Sequence, residues 1–194
     1  HKDDNELPVQ LRYNIPIEIL YTVVPIFMVV VLFYYTARDE ATLLDTSQDP
    51  DVTVNVVGKQ WSWDFNYLED DVHEVGAQAI LTGEPGAEET IPTLYLPVGE
   101  RVEFVLTSRD VIHSFWVPSF YFKMDVIPGH PNSFEVTPNR LGTYDGKCAE
   151  LCGQYHALML FKVHVVSQEE YAAHVKELAA NGNAGERELQ EAIQ

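Results

Sequence analysis

Cys148-Ala-Glu-Leu-Cys-Gly-Gln-Tyr-His-Ala-Leu-Met159 decides how the chain is read. It gathers two thiols, an imidazole and a thioether into one short stretch, and it holds the only two cysteines of the protein. Soft sulfur donors select copper(I), zinc or iron–sulfur clusters, and imidazole suits copper and zinc. Met159 favours copper. Zinc sites are built from Cys, His and carboxylate, whereas a weak axial Met beside Cys and His marks copper electron-transfer sites. Cys152, His156 and Met159 give Cys-x-x-x-His-x-x-Met, a loop able to present three donors to one metal. Cys148 adds a second thiolate. Two thiolates can bridge two metals, each of which then takes one terminal imidazole, so a second His is needed from elsewhere. His113, in Val111-Ile-His-Ser-Phe-Trp-Val-Pro118, is the candidate. Met159 and the backbone carbonyl of Glu150 supply the weak axial donors.

Simpler readings compete. Two cysteines in an exported domain commonly form a disulfide, and a Cys2His2 zinc knot through His113 would leave Met159 as packing. No Cys-x-x-Cys-His occurs, so covalently attached haem is excluded.

Outward from the loop the period is two. Gly142-Thr-Tyr-Asp-Gly146 precedes it and Leu158 to Val166 follows, so the loop joins two strands, with His164 on the outward, exposed side. Asn132 to Pro138, Arg101 to Thr107 and Thr93 to Pro97 are further strands. Val52, Val54 and Val56 alternate with Thr53 and Asn55 as in a half-buried strand, and Gln60-Trp-Ser-Trp-Asp-Phe-Asn-Tyr67 places its rings on one face. Glu69 to Pro92 reads as an acidic loop with at most a short strand at Ala79 to Thr82. Phe115, Trp116, Phe120, Tyr121 and Phe122 are dense aromatics, mostly for packing in the core or against a partner. Many short strands separated by Gly and Pro turns predict a β-sandwich. Ser167-Gln-Glu-Glu170 is a capping box opening an amphipathic helix that Asn181-Gly-Asn183 ends, and a polar tail follows.

Upstream the character changes. Residues 1–14 form a polar lead-in with no secretory signal, and 38–51 form a polar tether. Between them Ile15 to Ala37 is apolar apart from Glu18, long enough to span a bilayer, with Pro25 to kink it and Tyr34 and Tyr35 suited to the interface. Lys2 and Arg12 favour a cytoplasmic amino end and Arg38 opposes them, which places the strands outside. An ionisable Glu18 near a membrane boundary is a functional candidate, or a carboxylate snorkelling into the headgroups. The net charge of −18, from 30 acidic and 12 basic residues, disfavours nucleic acid and suits a partner with a basic face.

With His113-Ser-Phe-Trp-Val-Pro118 and Lys123-Met-Asp-Val-Ile-Pro-Gly129, the cysteine loop resembles subunit II of cytochrome c oxidase, across roughly Glu18 to Val166. The resemblance implies a mainly β fold: a cupredoxin-like Greek-key β-sandwich over 52–166, an N-terminal transmembrane helix over 15–37 and a short C-terminal helix within 167–194. It implies a binuclear CuA centre held by His113, Cys148, Glu150, Cys152, His156 and Met159. Electrons would enter from cytochrome c, soluble or membrane-tethered, at Trp61, with Asp110 helping to dock the donor. They would pass to haem a in subunit I, where oxygen reduction is coupled to proton pumping. By the same resemblance Glu18 matches the entrance of the K proton pathway, and the Glu150 carboxylate matches a magnesium ligand at the border with subunit I. Other oxidase subunits, the lipid bilayer and a respiratory membrane of bacterial plasma-membrane type, with the copper domain on its outer face, complete the picture.

Two departures qualify it, and rival readings stand beside it. Ser62 and Asn66 stand where the family often has Tyr and an acid, which leaves Asp64 to supply the docking charge. Ile15 to Ala37 resembles the second of two membrane helices, so another apolar run is expected upstream of His1. A nitrous oxide reductase shares the copper domain, but the apolar helix and the want of a His-rich module speak against it. A quinol oxidase subunit lacks the ligand set, and a zinc-stapled binding module is the non-redox alternative.

Overall fold

The computed structural model describes residues 10–81 and 83–185. It falls into two compact units, His1–Leu43 and Leu44–Gln194.

The first unit is helix α1, Ile15–Leu43, none of whose residues is buried. By length and composition it can cross a membrane. Its start is capped reciprocally: Asn14 Oδ1 accepts from the Ile17 N–H at 3.4 Å, and the Glu18 carboxylate accepts from the Asn14 N–H at 2.8 Å. Pro25 sits inside the helix without ending it. The helix also runs past Ala37, where the apolar stretch stops, to Leu43. Arg38, Glu40, Ala41 and Leu43 are good helix formers, and Arg38 lies over the Tyr35 ring at 5.1 Å. The tether is shorter by that amount.

The second unit begins with strands β1 (Val52–Lys59), β2 (Ser62–Tyr67) and β3 (Val72–Val75). Next come β4 (Thr93–Pro97), β5 (Val102–Ser108), β6 (His113–Val117) and β7 (Phe122–Val126). Strands β8 (Asn132–Val136), β9 (Gly142–Cys148) and β10 (Leu160–Val166) precede helix α2 (Gln168–Ala180). They form two five-stranded sheets, ordered β3-β2-β1-β5-β8 and β4-β10-β9-β6-β7. β1 pairs parallel with β5 and β4 with β10, because the chain crosses between sheets rather than turning back within one.

Alternation along the strands builds the core between the sheets. Trp63 and Phe65 of β2, Phe104 of β5, Phe115 of β6 and Phe161 of β10 are buried and interlocked, with Phe115 and Phe161 stacked at 4.7 Å and 16°. Each such ring contributes about 3–5 kcal/mol against truncation to Ala. α2 opens with the capping box at Ser167 and Glu170 and buries Tyr171 and Leu178.

Three expectations are corrected here. β1 is buried on both faces rather than half-buried. It is central in its sheet, and Asn55 is satisfied there: its amide donates to Val105 O and Thr107 Oγ1, both at 3.0 Å, while Asn66 donates to its Oδ1 at 2.9 Å. The short strand of the acidic segment is β3, upstream of the expected Ala79 to Thr82. Asp71 at φ 52 makes the tight return from β2 that puts it there. His164 is half-buried rather than exposed, covered by Tyr95 at a centroid distance of 5.0 Å.

Candidate metal centre

Strand pairing assembles the site. β9 and β10 are antiparallel, and the Cys148 N–H donates to Met159 O at 3.0 Å, closing the base of the 148–159 loop. β6 pairs with β9 so that Phe115 faces Cys148, and the Ala149 N–H donates to Ser114 O at 3.0 Å. His113, at the start of β6, therefore comes to lie against the thiols. Gly58 of β1 leaves room for it: a Cβ there would stand 3.0 Å from the His113 ring.

The donor atoms fall in an ordered row. His113 Nδ1 lies 3.9 Å from Cys148 Sγ, the two sulfurs are 3.8 Å apart, and Cys152 Sγ lies 3.7 Å from His156 Nδ1. Met159 Sδ is 3.8 Å from Cys152 Sγ, and the Glu150 carbonyl oxygen is 3.2 Å from Cys148 Sγ. Both cysteines are free thiols, since a disulfide would close the sulfurs to about 2.05 Å. His113, Met159 and both thiols are buried, whereas His156 is half-exposed.

Burial resists ionisation of Cys148, but the His113 ring and backbone donors outweigh it and bring the thiol down to about 7. Burial, then the Cys148 charge, pushes Cys152 up to about 12. The first proton leaves the pair readily and the second only against a neighbouring thiolate, which a bound cation would neutralise. Burial alone would depress His113, yet its contacts with Cys148 and Asp110 raise it.

His113, Cys148 and Cys152 have ligand atoms within 4.8 Å of one another, a group able to hold a metal ion. His156 stands outside that compact group and joins the row through Cys152. One tetrahedral ion, with sulfur at ~2.3 Å and nitrogen at ~2.1 Å, would draw all four donors to within about 3.8 Å of each other. The three adjacent spacings in the row, 3.7–3.9 Å, are of that size, and His156 lies beyond the group of three.

Trp61 sits at the rim, half-buried, edge-on to Tyr155 at 5.1 Å. Its Nε1 donates to Cys152 O at 3.2 Å, beside the Gln60 side-chain amide at 2.7 Å. Gly153, at φ +125, is the residue they cover, and a Cβ there would stand 3.0 Å from the indole. Asp110 is at the surface, and Glu150 is exposed.

Asp64 cannot supply a docking charge. Its side chain is fully buried, 2.5 Å from Lys59 Nζ and 3.2 Å from Arg109 Nη2. Nothing in the alternation of β2 revealed this, because its partners come from the end of β1 and the loop after β5. Sequence reasoning also missed Gln60 and Trp63, whose Nε1 donates to Met159 O at 3.4 Å and whose ring meets His113 at 6.0 Å.

The chain is 54% identical to the probable cytochrome c oxidase subunit 2 of Streptomyces avermitilis over 93% of its length, and spans 65% of the length of that relative. The crystal structure of the periplasmic domain of subunit II of cytochrome oxidase (CoxB) of Bradyrhizobium japonicum covers 69% of this chain and is itself 97% covered, at 29% identity and a TM-score of 0.58. A structure of the mixed disulfide intermediate between a thioredoxin-like TlpA and subunit II of cytochrome c oxidase covers 71% of this chain and is 96% covered, at 30% identity and a TM-score of 0.56. Residues 52–166, the whole two-sheet domain, match the family model for the periplasmic domain of cytochrome c oxidase subunit II, and the chain belongs to that family.

Proposed function

We propose that the chain is the electron-receiving subunit of a respiratory cytochrome c oxidase and carries a binuclear CuA centre. The observation that carries this is the row His113–Cys148–Cys152–His156, with two thiols in the middle and one imidazole at each end. His113, Cys148, Cys152 and His156 would hold the two coppers, which would supply one-electron chemistry between cytochrome c and haem a in subunit I.

The residues of this chain supply rigidity and exclusion of water. Cys148 and Met159 are tied by the backbone bond at the loop base, and Cys152 is held through its carbonyl by Gln60 and Trp61. Buried Phe115, Trp63 and Phe161 pack beneath. A frame that barely moves between oxidation states lowers the reorganisation that electron transfer requires. Met159 Sδ and Glu150 O, beside the two thiols, would be further and weaker donors to the metal, of the kind that tune the potential in copper sites. Trp61, on the rim and bonded directly to Cys152 O, is the point at which the electron enters. Its surroundings lack the Asp64 charge, so docking there depends less on local acids than the sequence implies.

Other roles follow from the same reading. Helix α1 anchors the domain on the outer face of a respiratory membrane, bacterial in type. Glu18 stands at the mouth of a proton pathway, where its carboxylate also caps α1. The Glu150 carboxylate is a hard oxygen donor suited to a magnesium ion shared with subunit I. Oxygen reduction and proton pumping belong to the assembled complex.

Metal analysis of the full chain against Cys148→Ser tests the reading. Two coppers per wild-type chain are expected, and loss of the paired centre in the variant. One zinc per chain would replace it with the zinc-stapled alternative, and a copper content indifferent to Cys148→Ser would overturn the paired centre.

A further inference from the structure

The carboxylate of Asp110 is already engaged. Its Oδ1 accepts from His113 Nε2 at 2.8 Å and from the Val111 N–H at 2.7 Å, and its Oδ2 accepts from the Gln60 N–H at 2.6 Å. A carboxylate can accept from Nε2 only if the proton is there, which in the neutral ring that binds a metal leaves Nδ1 as the lone-pair nitrogen. Nδ1 is the atom that faces Cys148 Sγ. Gln60, whose backbone Asp110 holds, sends its side-chain amide to Cys152 O. The loop is fixed from behind as well: the Arg109 N–H donates to Gly58 O at 3.0 Å, and Ser108 Oγ donates to Val111 O at 2.6 Å.

We propose that Asp110 is a positioning residue of the metal centre rather than a docking charge: it selects the His113 tautomer, orients the ring, and couples it through Gln60 to the Cys152 carbonyl and Trp61. The inference rests on the copper reading above. A carboxylate hydrogen-bonded to the far nitrogen makes a ligand imidazole a stronger donor, and such partners affect metal affinity about 10–100-fold on mutation. A stronger donor and a nearby negative charge favour the more positive, oxidised metal. A docking acid acts differently, on encounter rate and its salt dependence.

The test uses the full chain in detergent, copper-loaded, as wild type, Asp110→Asn and Asp110→Glu. Asn keeps the size and one acceptor oxygen but removes the charge. The expected result is a higher reduction potential for Asp110→Asn: a tenfold change in preference between oxidation states corresponds to about 59 mV for a one-electron couple. Asp110→Glu should return the potential toward wild type. An unchanged potential in Asp110→Asn, with only the KM for the donor and its salt dependence altered, overturns the proposal. A wild-type chain that binds no copper pair overturns the copper reading, and this inference with it. If Asp110→Asn fails to load copper, the ring nitrogen chemical shifts of His113 in the metal-free wild type decide: a proton on Nε2 and none on Nδ1 is expected, and a proton on Nδ1 alone refutes the proposal.

Discussion

Replacing Asp64 by Asn separates the buried position seen here from the surface role its sequence suggests. The Asp64 side chain has no exposed surface, and Lys59 and Arg109, which flank it, are 20% and 6% exposed. The carboxylate also accepts from the Gly76 N–H at 3.1 Å. The substitution keeps shape and one acceptor oxygen but removes the charge that Lys59 and Arg109 share. Breaking a buried ion pair from one side costs about 3–5 kcal/mol. Lys59 retains some contact with water, which puts the expected loss near the lower end, about 3 kcal/mol. For a domain of this size each kcal/mol moves the melting temperature by about 2–4 °C, so a fall of roughly 6–12 °C follows. The assay is thermal unfolding of the metal-free full chain in detergent, followed by Trp fluorescence, since Trp63 reports on the adjacent core. A melting temperature within about 2 °C of wild type, together with a salt-dependent rise in the KM for cytochrome c, would show that Asp64 is a surface charge and that the buried triad is wrong.

Met159→Leu should retain copper and raise the reduction potential, measured by redox titration; an unchanged potential would exclude an axial thioether. Trp61→Phe should leave the copper spectrum intact while slowing electron uptake from cytochrome c in stopped-flow mixing, and equal rates would move the point of electron uptake elsewhere. His174 stacks on Tyr95 at 3.7 Å, and its Nε2 is buried without a hydrogen-bond partner. Burial, reinforced by His164 and opposed by Glu177, lowers its pKa. The folded state thus binds fewer protons than the unfolded state. This stability contribution is present above the unfolded value of about 6.5 and is lost as pH falls through the lower, folded one. His174→Phe should therefore flatten the decline of melting temperature between about pH 7 and pH 5, and an unaltered slope would assign that decline to other groups.

The residues that the fold gathers into one row of donors are legible because they carry rare chemistry at short spacing. Cys148, Cys152, His156 and Met159 lie in one loop, and His113 is the His at a strand start that the row requires. The strands flanking the loop and the capping box of α2 were legible for a similar reason, since period and caps are local signals. What sequence reading missed depends on partners far apart in the chain. Asp64 alternates on β2 like a solvent-facing acid, and only Lys59 and Arg109 make its burial tolerable. Asn55 reads as the polar face of a half-buried strand until Asn66 and Thr107 satisfy it. Asp110 is an ordinary surface acid until the fold sets His113 Nε2 and the Gln60 N–H against it. β3 is a four-residue edge strand among acids, too short for its period to register. The apolar stretch ends at Ala37, but helix propensity carries α1 on to Leu43.

Electron paramagnetic resonance of the copper-loaded chain, with copper counted on the same sample, tests the central claim most directly. Thiols 3.8 Å apart with one imidazole at each end should give two coppers per chain and hyperfine splitting from two equivalent nuclei sharing one unpaired electron. Splitting from a single nucleus, or a silent site occupied by zinc, would contradict it.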